Sequence, residues 1–418
     1  MMDVRLRRPG PPYLRLLILS LLLLMPLPAA AADQRQEVLD RTAANRGLAV
    51  RAEVPLELVD RGRLRESLEA RLDEDVRASI LVSQKLMQDL GLLSADQDLR
   101  RIYLDTQSGG VAGYYSSREK RMFVVTGEQS LGPSERLTLS HEFTHALQDQ
   151  HFDLVALRKA TGGDDDRLLG LKALVEGDAV ISSVEYARAT FNDEDRRQLT
   201  AQRERAGPPP LQSAPQALRE EILFPYRAGT AFVRLLRESG GFAAVDRAFG
   251  DPPNSSEQVL HPEKYAQHEP PVEVRLPDLA AGLGEDWTVL RSNVLGELDL
   301  KLVLQQYSES TAAEQGAAGW GGDRYALLER ADGARLLVVR TVWDDEAEAG
   351  QFFAAYAATV QRRFGEAATR QPVAADRVLW TLPAGALSLA QAGTQIEIVQ
   401  APDPATLDRA LELLASPS

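Results

Sequence analysis

The segment Ser140-His141-Glu142-Phe143-Thr144-His145 constrains this chain more than any other stretch. Two histidines four residues apart face one point only if the backbone between them is helical, because residues i and i+4 then stand one turn apart on one face. Glu142 follows about 100° round the same turn. Two imidazoles can thus converge on one metal ion with a carboxylate beside it. The motif predicts a helix over roughly 134–150, opened by Gly132-Pro133 and carrying acidic Glu135 in its first turn. It also demands a ligand from elsewhere, since a catalytic zinc usually takes three protein ligands and leaves one position for water.

Two residues compete for that third place, with a nearby aspartate behind them. His151 extends the motif to a spacing close to the metzincin pattern, HExxHxxGxxH. Position 148, however, is Gln where that pattern has Gly, and a side chain resists the sharp turn that would bring the last histidine round. Metzincins also carry a methionine turn after the motif, whereas Met1, Met2, Met25, Met87 and Met122 all precede it. The other candidate is Glu176, in Leu174-Val175-Glu176-Gly177-Asp178-Ala179, on an apolar stretch from about Arg167 to Thr190 that reads as the next long helix. An unpaired carboxylate among such neighbours is costly, which favours a partner for it.

An HExxH helix followed by an apolar helix bearing one glutamate resembles the gluzincins, the thermolysin-like zinc metallopeptidases. The resemblance covers roughly residues 110–190. It implies His141, His145 and Glu176 as ligands of a single catalytic Zn2+ and Glu142 as the general base. Val111–Tyr115 and Arg121–Val125 flank a polar turn and read as a strand pair; they look like the edge strand above the cleft in that family, to which a peptide could add. One position departs from the family: Val180 stands where an aspartate often orients a histidine, leaving Asp178 or Asp149 for that task. Peptide hydrolysis also calls for a donor to the developing oxyanion. His261 and Tyr265, in a loop-like segment, are the first candidates, with Tyr226 and Tyr186 behind them. His268, next to Glu269-Pro270-Pro271, reads as a surface residue, and Gly319-Trp320-Gly321-Gly322 lacks the spacing and lysine of a phosphate loop.

At its start the chain reads as an export signal. Arg5, Arg7, Arg8 and Arg15 precede an apolar run from Leu16 to Met25, then come Pro26, Pro28 and small residues from Ala29 to Ala32. The run is too short to span a bilayer comfortably, and no later run is long enough. The expectation is a signal peptide over 1–32, a secreted or periplasmic product and no stable membrane anchor after cleavage. Having no cysteine, the chain forms no disulfide and has no site for a lipobox lipid. Its net charge of −14, more negative still without the arginine-rich start, argues against nucleic acid as a partner.

The remaining pattern predicts an α+β protein: a mainly helical zincin-like catalytic domain with a small β-sheet over 33–310, then a smaller α+β domain over 319–418. Residues 33–100 read mostly as helix and as part of the core rather than a prosegment. Pro225 is expected to break or kink a helix resuming near Leu218. Residues 251–278 read as loop, and a helix is expected from about Leu290 to Tyr307. Beyond Gly319, Tyr325–Arg330 and Ala334–Val342 flank an Ala-Asp-Gly turn and precede a helix over 346–364. Ala386–Gln391, Gln395–Val399 and Pro404–Leu414 echo that order and raise the question of duplication. The function expected is exported, zinc-dependent hydrolysis of peptide or protein substrates. The alternative is a non-catalytic secreted binding protein with a structural zinc site.

Overall fold

The computed structural model describes residues 29–59, 69, 74–110, 113–125, 131–205 and 210–415. The expected export signal up to Pro28, the apolar positions Leu64, Leu68 and Leu72, Val111-Ala112 and Gly207–Pro209 lie outside the described residues. The chain is α+β, with helices and two sheets. Among the described residues, no helix is long and apolar enough to cross a membrane.

The first sheet has three strands in the order β1-β3-β2: β1 (Leu56–Val59), β2 (Gly113–Ser116) and β3 (Arg121–Val125). Strands β2 and β3 form the expected antiparallel hairpin, with Lys120 in the left-handed region at its turn. Strand β1 was not foreseen. It pairs parallel to β3, Leu56 opposite Met122, in a stretch read as helical. Its four residues are too few for a periodicity, and its partner is remote in sequence.

Three helices carry the motif residues. The motif helix (Pro133–Phe152) has Gly132 as its N-cap and Pro133 in its first turn. The glutamate helix (Asp165–Thr190) begins where the Asp164 side chain accepts from the Arg167 N–H at 2.9 Å, with Asp165 and Asp166 facing the dipole. The tyrosine helix (Gln216–Gly250) runs through Pro225 with helical dihedrals and is interrupted at Gly240-Gly241. Of the break or kink expected at Pro225, no break occurs, and Gly241, at φ 64°, takes the conformation that interrupts the run. An N-terminal helix (Ala29–Arg46) packs Val38 and Leu39 onto Leu139 and Phe143 of the motif helix, and Thr42 donates to the Ser140 hydroxyl at 2.9 Å.

The second sheet is antiparallel, ordered β4-β5-β6-β10-β9-β8-β7 over Trp287–Asn293, Trp320–Arg330, Arg335–Trp343, Gln395–Ala401, Gly385–Ala392, Arg377–Leu382 and Thr369–Ala374. The helix expected over 290–307 is instead β4 followed by a helix at Gly296–Gln305. A sheet boundary drawn at 319 would cut β4 from β5. Both faces are covered, so β6 reads as an almost continuous apolar run. Leu337 and Val339 face the large core shared with the helical half, together with Phe352 and Tyr356 of the 346–364 helix. Leu336 and Val338 face a second cluster with Leu407 and Leu414 of the last helix, Pro404–Ala415. The two post-hairpin helices thus lie on opposite faces. A two-fold relating antiparallel β6 and β10 would keep both on one face, so the echo in the sequence is not a spatial repeat. The 251–278 segment contains two short helices, Ser256–Leu260 and Pro262–Ala266.

Candidate functional site

The motif helix aims both imidazoles at Glu176 of the glutamate helix. His141 Nε2 and His145 Nε2 stand 3.2 and 3.4 Å from Glu176 Oε2, and 3.1 Å from each other. Among the described residues this is the group of histidine and acidic side chains able to share one cation. Burial works against charge here, yet Glu176 lifts the His145 imidazole to about 9, while the two imidazoles hold the Glu176 carboxyl well below its usual range.

A buried chain of polar groups sets the direction of His145. Gln148 Nε2 donates to the Val175 carbonyl at 3.0 Å and to Asp178 Oδ2 at 2.8 Å. Asp178 in turn accepts from Arg46 Nε at 2.7 and 2.9 Å, and Arg46 also donates to Asp246 at 2.6 Å. A backbone carbonyl and an Arg-paired carboxylate call for donors, so Gln148 must turn its NH2 to them and its carbonyl to His145. His145 Nδ1, 2.9 Å from Gln148 Oε1, then donates its proton to that carbonyl, which leaves Nε2 as the ring nitrogen on the Glu176 side. The residue whose presence spoils a metzincin turn thus orients His145, and Asp178 acts through it.

Glu142 is 8 % exposed, and its Oε2 accepts from the Tyr115 backbone N–H of β2 at 2.7 Å. Burial raises its carboxyl above the ordinary range, against the pull of the neighbouring imidazoles. Because the Tyr115 amide points to Glu142, Tyr115 makes a non-hydrogen-bonded pair with Met122 in β3. By the same alternation Gly113 turns its peptide groups to the outer edge of the sheet, which no strand among the described residues pairs. The hairpin is tied to the motif helix a second time, two turns beyond Glu142. Tyr115 O–H and Lys120 Nζ both donate to Asp149 Oδ2, at 2.8 and 2.7 Å.

Tyr226 completes the cluster. Its ring stacks on His141 with centroids 6.3 Å apart, and its phenol is within the influence of the Glu176 carboxylate. The charge of Glu176, then burial and the charge of Glu142, raise the phenol well above its usual range, so it stays a neutral donor. The two first-choice donors have other partners. His261 Nε2 lies 2.9 Å from Glu297 Oε1, and Tyr265 O–H donates to the Asp251 carbonyl at 2.8 Å. Neither makes a hydrogen bond or ion pair with the cluster among the described residues. Their segment folds back beside the 296–305 helix, a placement that loop composition does not reveal. Tyr186 is buried with Phe191. His151 cannot turn back, because the motif helix continues to Phe152; its Nε2 meets the Ala49 carbonyl at 2.8 Å. His268 pairs with Asp251 at the surface.

Residues 288–411 match the model of a family described as a domain of unknown function, DUF8575. The match begins within β4 and ends in the last helix, so it covers the seven-stranded sheet and none of His141, Glu142, His145 or Glu176. No curated protein and no solved structure matches this chain.

Proposed function

We propose that the chain is an exported zinc-dependent peptidase that hydrolyses peptide or protein substrates with Glu142 as general base. The observation that carries this reading is the convergence of His141, His145 and Glu176 with a buried Glu142 alongside. Three donors bound at about 2.05 Å and tetrahedral angles lie about 3.3 Å apart. The separations of 3.1, 3.2 and 3.4 Å match that set, and two imidazoles with one carboxylate are a familiar zinc donor set. Held by His141, His145 and Glu176, zinc would make a water more acidic and would supply a positive charge for the scissile carbonyl.

The chain's own residues supply the rest. Glu142, with its raised affinity for protons, takes one from the attacking water and hands it to the departing amine. Tyr226, neutral and beside Glu176, is the preferred donor to the carbonyl oxygen as it gains charge. The outer edge of β2, which no strand among the described residues pairs, gives an extended peptide a strand to pair with, next to the base.

The test is Glu142→Gln in purified protein, with metal content and turnover of an unstructured protein measured together. Zinc should remain at one ion per chain while hydrolysis falls by a factor of about 1,000 or more. Equal turnover in the variant would exclude the mechanism. Stoichiometric zinc with no turnover in the unsubstituted protein would point to the alternative, a secreted binding protein with a structural ion.

A further inference from the structure

We infer that the groove between the glutamate and tyrosine helices is a subsite for a carboxylate of the substrate. This deepens the peptidase reading and rests on it. The groove has a volume of about 580 Å³ and is lined by Val180, Val184 and Arg188 on one side and Thr230, Arg234 and Arg237 on the other. Its near end adjoins the metal-binding cluster. Val180 lies one helical turn beyond Glu176, and Thr230 one turn beyond Tyr226, a rise of about 6 Å in each case. Thr230 donates to the Tyr226 carbonyl at 2.5 Å, which binds this wall of the groove to the residue stacked on His141.

The charge of the groove runs against that of the chain. The whole sequence carries a net charge of −14. In the groove, Arg237 is neutralised by Glu185 at 2.5 Å and lies over the Phe242 ring. Arg188 and Arg234 make no ion pair or hydrogen bond among the described residues, and Glu238 on the rim is within ion-pair distance of neither. Two guanidinium groups with all their donors available, above an apolar floor of Val180 and Val184, suit a group that is anionic at its end and extended along its length. Arg234 lies two turns, about 12 Å, beyond Tyr226. At about 3.3 Å per extended residue, a carboxylate meeting it sits two to four residues from the scissile bond once the arginine's own reach is included. Either an acidic side chain or the peptide's own C-terminus supplies that chemistry.

The experiment measures binding without turnover. Glu142→Gln protein is loaded with zinc, and fluorescence anisotropy is recorded with labelled decapeptides in matched pairs. One pair carries Glu or Gln at a single internal position with an amidated end; a second has no acidic side chain and a free or amidated C-terminus. We expect the carboxylate member of one pair to bind about 10- to 100-fold more tightly, with the preference weakened by salt. The pair that responds identifies the source. Adding Arg188→Gln and Arg234→Gln should abolish the difference, and Arg234→Lys should keep part of it. Equal binding within both pairs, no binding at all, or a preference that survives the double arginine change overturns the subsite. A preference seen in binding but no cleavage by protein retaining Glu142 would leave the subsite and remove the peptidase reading.

Discussion

Gly177 and Gly229 meet backbone to backbone where the glutamate and tyrosine helices cross. A Cβ on Gly177 would lie 2.2 Å from the Gly229 carbonyl oxygen, and one on Gly229 would lie 2.2 Å from the carbonyl oxygen of Ala173. No rotamer relieves a clash with backbone, so the helices must separate. Glu176 is the residue before this crossing and Tyr226 is one turn before it on the other helix, so the approach of two glycines holds Glu176 against the helix that carries Tyr226. Gly177→Ala should cost about 1–3 kcal/mol in urea unfolding and weaken zinc binding measured by chelator competition. Gly250→Ala, where a Cβ meets nothing within 4 Å, is the control and should leave zinc affinity unchanged. Unaltered affinity in Gly177→Ala would mean that the crossing does not position Glu176.

Gln148 should matter to the metal without touching it. Its carbonyl holds the His145 Nδ1 proton while its amide is fixed by Val175 and Asp178. Gln148→Ala frees the imidazole to rotate and to change tautomer, and losses of such outer partners typically cost 10- to 100-fold in metal affinity. Chelator competition should show a loss in that range, whereas His151→Ala should show none. A larger loss in His151→Ala than in Gln148→Ala would reverse the assignment of these two positions.

Local spacing made the His141, His145 and Glu176 cluster legible. His141 and His145 follow from the i, i+4 rule, and Glu176 from a carboxylate on an apolar helix, because both signals lie within one turn of one element. Gln148 was visible only as a departure from another family's pattern; its use depends on Asp178 and Arg46, which are 30 and 102 residues away from it in sequence. The candidates for an oxyanion donor were harder to read for the same reason. His261 and Tyr265 drew attention by residue type and loop setting, but tertiary packing gives His261 to Glu297 and brings Tyr226 to His141. In the fold, hairpins and long helices were readable from period and turn residues. Strand β1, which pairs across more than sixty residues, was not, and β4 was hidden inside an apolar stretch that continues into a helix.

The Arg46–Asp178 pair ties the N-terminal helix to the site. Both side chains are fully buried, and Arg46 also lies over the Phe242 ring at 4.4 Å. Burial lifts the Asp178 carboxyl, and the charge of Arg46 is the largest influence opposing that lift. Arg46→Met keeps much of the packing but removes the partner. The expected result is a stability loss of about 3–5 kcal/mol by urea unfolding. The double variant Arg46→Met/Asp178→Asn, which removes both charges, should recover a large part of it. If the single variant is as stable as the unsubstituted protein, this buried pair is not what anchors the helix.

The joint between the two halves should respond to pH through Glu257. This carboxyl is 2 % exposed and meets Lys264 Nζ at 2.6 Å; Lys264 also bridges to Glu269 at 3.1 Å and to Asp344. Burial pushes Glu257 up to about 7; the Lys264 hydrogen bond and charge oppose this, and the charges of Glu297 and Asp344 add to it. The ordinary value of 4.5 applies when the chain is unfolded. Between those values the folded chain holds this proton and the unfolded chain releases it. The contribution to stability is therefore complete below about 4.5 and is lost as pH rises through about 7. The melting temperature should fall between pH 5.5 and 8, and Glu257→Gln should flatten that fall. Lys264→Gln leaves the carboxylate unpaired and raises its proton affinity further. Its penalty should approach about 3–5 kcal/mol at pH 8 and be smaller at pH 5.5, where Glu257 is protonated. Thermal unfolding of both variants at the two pH values checks this; a Lys264→Gln penalty equal at both would show that Glu257 is not the group that titrates.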